Sequence, residues 1–98
     1  MARFEGAFAN RLGRHHALAV TSCTAALHLS LLALNIGPGD EVITTPMTFI
    51  ASATAIIEAG ARPVFVDVEP ETGNLNAALI EKAITRRTKA ILPVHLYG

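Results

Sequence analysis

Apolar residues along this chain come in short clusters broken by glycine, proline and small polar residues, and the spacing inside each cluster sets the element it predicts. Residues Ala2 to Leu12 put Phe4, Ala7, Phe8 and Leu12 at helical spacing with Arg3, Glu5 and Arg11 outside, which predicts a short amphipathic helix ending at Gly13. Ala17 to Val20 reads as a buried strand. After the hydroxyl-rich turn Thr21 to Thr24, the apolar segment runs on to Asn35 as a helix, stopped by Gly37, Pro38 and Gly39. Glu41 to Thr45 is a second predicted strand, ended by Pro46, and Ile50 to Ala59 a helix closed by Gly60. Arg62 to Val68 is a third strand. Asn74 to Thr85 has Leu75, Leu79, Ile80, Ala83 and Ile84 on one face and Glu81, Lys82, Arg86 and Arg87 on the other, a surface helix, and Lys89 to Val94 is a fourth strand.

Short apolar strands alternating with helices predict βαβ units: an α/β fold with a parallel sheet covered on both faces. No internal repeat or low-complexity tract interrupts the pattern. Ligands of such sheets bind beyond the carboxyl ends of the strands, here Thr21 to Thr24, Pro46 to Phe49, Asp67 to Pro70 and His95 to Gly98.

The first of these ends carries the most chemistry. A strand that turns directly into a helix presents unpaired backbone N–H groups at the positive end of the peptide dipole, a natural anion pocket. Thr21, Ser22 and Thr24 add hydroxyls to it. The same residues serve equally as an ordinary helix cap, with Thr21 or Ser22 accepting a backbone N–H and no ligand involved. Local pattern leaves both uses open.

Composition narrows the setting. In 98 residues, 51% are hydrophobic and only 16% charged, a balance suited to the interior of a larger α/β protein, so the chain is expected to be part of one. Basic and acidic residues number eight each, which gives no electrostatic case for nucleic acid or an anionic membrane. The lone Cys23 allows no internal disulfide and fits a reduced, cytoplasmic setting. Arg3, Glu5 and Arg11 interrupt any signal-peptide core, and Ala25 to Leu34 is about half the ~20 residues a membrane span needs. His15 and His16 are adjacent, so their side chains diverge, and with no third ligand nearby no metal site is expected.

Five pieces in order, T-S-C-T-A leading into a helix, G-P-G-D-E-V-I, P-M-T-F, G-A-R-P-V-F-V-D-V and P-V-H-L-Y-G, resemble the DegT/DnrJ/EryC1/StrS family of sugar aminotransferases. The resemblance covers nearly the whole chain. It implies dependence on pyridoxal 5′-phosphate (PLP) and the aspartate aminotransferase-like fold, fold type I, a three-layer αβα domain with a mainly parallel sheet. Residues 1–98 would then be an N-terminal part of the large domain, without its catalytic-lysine half or the small C-terminal domain.

Site roles follow by position. The turn Thr21 to Ala25 matches the family's phosphate-binding S-G-T-A turn, so Thr24 and the Ala25 N–H would hold the cofactor phosphate, with Cys23 standing where glycine is commonest. Phe49 matches the aromatic that lies against the pyridine ring, the alternative being a core residue at a helix start; Thr48 would reach substrate or cofactor. The family's pyridinium aspartate lies on a later strand, which leaves Asp67 a strand-end role, and His95 and Tyr97 are read as packing residues. Cys23 has no neighbouring base to make it a nucleophile. The lysine that PLP chemistry requires is matched by neither Lys82 nor Lys89 and would lie beyond Gly98. The implied parent activity is amino transfer, usually from glutamate, to a nucleotide-linked keto-sugar by a homodimer, with sugar dehydration as practised by lysine-free family members, or a non-catalytic phosphate-ligand module, as alternatives.

Overall fold

The computed structural model describes all residues, Met1 to Gly98. Each of its first three helices stops where one residue takes a left-handed conformation. Helices α1 (Ala2–Arg11), α2 (Cys23–Ala33) and α3 (Ala51–Glu58) are followed by Gly13 at φ 61°, Asn35 at φ 55° and Gly60 at φ 85°. In each case that residue and the next donate their N–H groups back into the last turn: Gly13 and Arg14 to Asn10 and Ala9, Asn35 and Ile36 to Leu32 and Leu31, Gly60 and Ala61 to Ile57 and Ile56. The motif satisfies carbonyls that a helix end leaves unpaired and draws an apolar pair together across the stop. For α2 the pair is Leu31 and Ile36, for α3 Ile56 and Ala61, and all four are buried in one core cluster.

That cluster also holds Val42, Ala55 and Ala59, with Leu27, Ala90 and Leu92 packed against it. It joins α2 and α3 to one face of a three-stranded sheet of β1 (Glu41–Thr44), β2 (Arg62–Phe65) and β3 (Thr88–Leu92). The order is β2-β1-β3 and both pairings are parallel, with Ile43 level with Val64 on one side and Ile91 on the other. All four residues of β1 are buried, as a central strand requires, and Ile43 and Ile56 each contribute roughly 1.5–3 kcal/mol by leaving water. Thr44 lies inside without cost because its hydroxyl donates to the Leu92 carbonyl at 2.9 Å. The short helix α4 (Ala77–Ala83) is capped by Asn76, whose side chain accepts the Ala78 N–H at 3.0 Å.

The parallel α/β arrangement follows the hydrophobic pattern, but one expected strand does not form. Ala17 to Val20 is irregular, although its side chains suit a strand. A strand exists through its ladder partner, and this segment makes no backbone ladder with β1, β2 or β3, which pair only among themselves. The single hydrogen bond made by residues 15–21 joins the Ala19 N–H to Glu5 Oε1 of α1 at 2.8 Å. Several boundaries also move: β3 ends at Leu92 instead of Val94 and α4 at Ala83 instead of Thr85. β2 ends at Phe65 instead of Val68, because Val68 bridges antiparallel to Leu75 across a turn. That bridge and the Asn76 cap start α4 at Ala77, not at Asn74.

Candidate functional site

Three strands running the same way send their exits to one edge of the sheet, and the connections decide what collects there. β1 leaves through Pro46–Phe49 into α3, β2 through the turn from Asp67 to Asn76 into α4, and β3 through His95–Gly98. α2 feeds β1 through the short turn Asn35–Asp40, and Pro38 of that turn lies against Gly60 at the far end of α3. The start of α2 therefore belongs with the start of α3, on the carboxyl edge.

At the start of α2, Ser22 is the cap: extended at φ −158°, ψ 161°, it accepts the Ala25 N–H on Oγ at 3.1 Å. Of the two cap candidates in the sequence, Ser22 has the role. The Ala25 N–H, expected to face a phosphate, is thus occupied by the cap. The N–H groups of Cys23 and Thr24 and the Thr24 hydroxyl have no partner in the chain. Cys23 is exposed and sits in the first helical turn; it is not among the residues at positive φ, so a side chain is carried there without backbone strain.

Phe49 at the start of α3 is 74% exposed within residues 1–98 and lies outside their core cluster. An aromatic ring that exposed has surface to offer a flat partner. Thr48 turns inward, its hydroxyl 3.0 Å from Ser52 Oγ. Asp67 is exposed and spends one carboxylate oxygen on the Val68 N–H at 2.8 Å, in keeping with a strand-end role. Tyr97 and His95 are exposed within residues 1–98. Tyr97 borders Gly73 of the β2 exit turn, where an added Cβ would stand 3.6 Å from its ring and 3.8 Å from Met47 Sδ. Lys82 is exposed on α4, and Lys89 stands near the start of β3, at the opposite edge.

Two further residues here carry no signal in the hydrophobic pattern. Glu5 reads as one polar position on an amphipathic helix, yet it holds the segment leading to the α2 turn. Asn74 donates from Nδ2 to the Gly98 carbonyl at 3.4 Å and leaves its buried Oδ1 without a partner. Only the glycine–asparagine pair at 73–74, a turn signal, marked the region.

The donor set suits a phosphate and a planar ring: unpaired N–H groups and a hydroxyl at a helix start, and a free aromatic face on the same edge. Fold and edge together define the aspartate aminotransferase-like class, a parallel α/β layer structure shared with solved aminotransferases. The chain belongs to the DegT/DnrJ/EryC1/StrS aminotransferase family, whose profile matches residues 1–98. It is 58% identical over 95 residues to GDP-perosamine synthase of Caulobacter vibrioides, covering 97% of this chain and 26% of that protein. Among solved structures, DesV of S. venezuelae superposes with a TM-score of 0.93 at 49% identity over 99% of this chain and 26% of its own. Bacillus subtilis NtdA, solved with bound cofactor PMP, gives 0.93 at 42% identity over 99% and 22%. The chain thus spans about a quarter of the length of these relatives.

Proposed function

We propose that residues 1–98 form the N-terminal part of the large domain of a PLP-dependent enzyme that moves an amino group from an amino acid, glutamate in the usual case, to a nucleotide-linked keto-sugar. Family membership and the name of the perosamine synthase support the class of reaction and of substrate. The observation that carries the reading is the shared edge, where the unpaired N–H groups of Cys23 and Thr24 and the Thr24 hydroxyl accompany a 74% exposed Phe49.

When bound, PLP supplies an electron sink for bond breaking at the amino-bearing carbon. The chain's own part is binding and orientation. Cys23 and Thr24 would donate N–H groups to the phosphate and Thr24 would add its hydroxyl, charge-assisted bonds of about 1.5–3 kcal/mol each. Ala25 acts through the cap, its N–H held by Ser22 so that the first turn keeps its shape. Phe49 would offer its ring to the flat cofactor and keep water from it, and Thr48, held by Ser52, would stand beside it for cofactor or substrate. The lysine that moves the proton comes from outside residues 1–98, as does the pyridinium carboxylate, and the whole enzyme works as a homodimer. No helix is long and apolar enough to cross a membrane.

The test compares the full-length polypeptide with residues 1–98 alone. The full-length protein is expected to take up PLP and to form glutamate-dependent amino-sugar product from a nucleotide keto-sugar, and the segment alone to be inactive. Dehydrated sugar in place of amino-sugar would overturn amino transfer. Turnover by the isolated segment would overturn the assignment of the lysine.

A further inference from the structure

We propose that Glu5 is a positioning residue for the phosphate turn, an inference that rests on the PLP reading above. The connector between α1 and α2 is an anomaly in this fold. Residues 15–21 form neither helix nor strand, and of their backbone groups only the Ala19 N–H is hydrogen-bonded within the chain. Its acceptor is not backbone but Glu5 Oε1, 14 residues earlier, at 2.8 Å and partly buried. Such a bond, short and with a carboxylate as acceptor, is about twice as strong as a neutral one.

Its location gives it a purpose. Ala19 stands three residues before the Ser22 cap and four before Cys23, the first residue whose N–H is free for phosphate. With no ladder to hold it, the approach of the chain to the cap has this bond as its one hydrogen-bonded anchor. Phe4, Phe8 and Ala9 of α1, its C-cap Leu12, and Ala17 to Ala19 line one groove of about 370 Å³, with Glu5 in its wall. Glu5 thus couples the placement of α1 to the geometry of the turn. It touches no ligand itself and acts through Ala19.

A role confined to stability and a role in positioning predict different results. The readout is the ratio of affinities for PLP and for pyridoxal, which lacks the phosphate, measured on the full-length protein with wild type, Glu5→Ala and Glu5→Gln. Positioning predicts that Glu5→Ala weakens PLP and inorganic phosphate by about tenfold, the loss of one charge-assisted hydrogen bond's worth of order, and leaves pyridoxal within about twofold. Glu5→Gln, which keeps an acceptor oxygen, should recover most of the ratio. A ratio unchanged in Glu5→Ala beside a lowered Tm would overturn the inference and leave the PLP reading intact. Wild type that binds PLP no better than pyridoxal would overturn the PLP reading itself. Should Glu5→Ala not fold, Ala19→Pro removes the donor and leaves Glu5 in place, and the same ratio decides.

Discussion

Glu41, 3% exposed at the start of β1, receives Arg62 Nη2 of β2 on Oε1 at 3.0 Å. Its Oε2 accepts the Thr85 hydroxyl at 2.7 Å, so one carboxylate ties the central strand to β2 and to the approach to β3. The two partners differ in exposure: the Arg62 side chain is 74% in solvent and loses little hydration, whereas the Glu41 side chain is buried. Removing Arg62 therefore leaves a buried carboxylate short of a partner, while neutralising Glu41 releases an arginine to water. Arg62→Ala is expected to destabilise by about 2 kcal/mol, discounted for the exposed arginine, and Glu41→Gln by less, since the amide still accepts from Thr85. Urea unfolding of the two variants of the full-length protein checks the order.

Gly60 is fixed by two independent constraints. At φ 85° it ends α3, and a Cβ there would stand 3.0 Å from Pro38 Cδ and 3.1 Å from Cγ. The proline ring cannot swing away as a flexible side chain would. Gly60→Ala should then cost about 2–3 kcal/mol, made of roughly 1–2 for the left-handed backbone and the rest for the displaced ring. Gly13→Ala is the control. Gly13 has φ 61° but nothing within 4 Å of an added Cβ, so only the backbone share of about 1–2 kcal/mol is expected. Equal losses in thermal unfolding would count against the Pro38 contact.

What could be read from the sequence divides along a physical line. Helices α1 to α3 and strands β1 to β3 were legible because their apolar spacing and glycine stops are local properties, although α2 halts at a left-handed Asn35, ahead of the Gly37–Pro38–Gly39 turn. Ala17 to Val20 misled because strand formation depends on a partner elsewhere, which side-chain pattern does not encode. The Val68–Leu75 bridge shortened β2 and α4 for the same reason. At the candidate site, the hydroxyl turn was visible as a helix start, but whether Ser22 or Thr21 capped it depended on backbone angles. Phe49 was ambiguous between core and surface, and its exposure could be decided only by what α3 packs against. Glu5 was invisible, since a contact between residues 14 apart through a side chain leaves no periodic trace.

Because Phe49 is largely in solvent, its loss separates binding from folding in a way a core aromatic would not allow. Phe49→Ala in the full-length protein should change stability by less than about 0.5 kcal/mol. If the ring lies on the cofactor, PLP affinity should fall by about three- to tenfold, the worth of one aromatic stack, and Phe49→Tyr should restore it. Fluorescence titration with PLP measures both. A Phe49→Ala variant that binds PLP as wild type does would remove the ring from the site.

Cys23 offers a direct report on the phosphate turn, since its thiol is exposed and it is the chain's single cysteine. A neutral alkylating reagent should modify it in the ligand-free full-length protein, any cysteines outside this segment being resolved by peptide mapping. Phosphate or PLP bound to the N–H groups of Cys23 and Thr24 would crowd the thiol and slow that reaction, and pyridoxal, lacking the phosphate, would protect far less. Thr24→Val keeps the shape of the side chain and removes the hydroxyl, so the concentration of PLP giving half-protection should rise by about tenfold or more, the worth of one hydrogen bond to a charged group. Cys23→Gly should leave PLP affinity within about threefold, because residue 23 is in the helix at an ordinary φ and gains nothing from the freedom of glycine. Alkylation of Cys23 at the same rate with PLP bound would separate the turn from the phosphate.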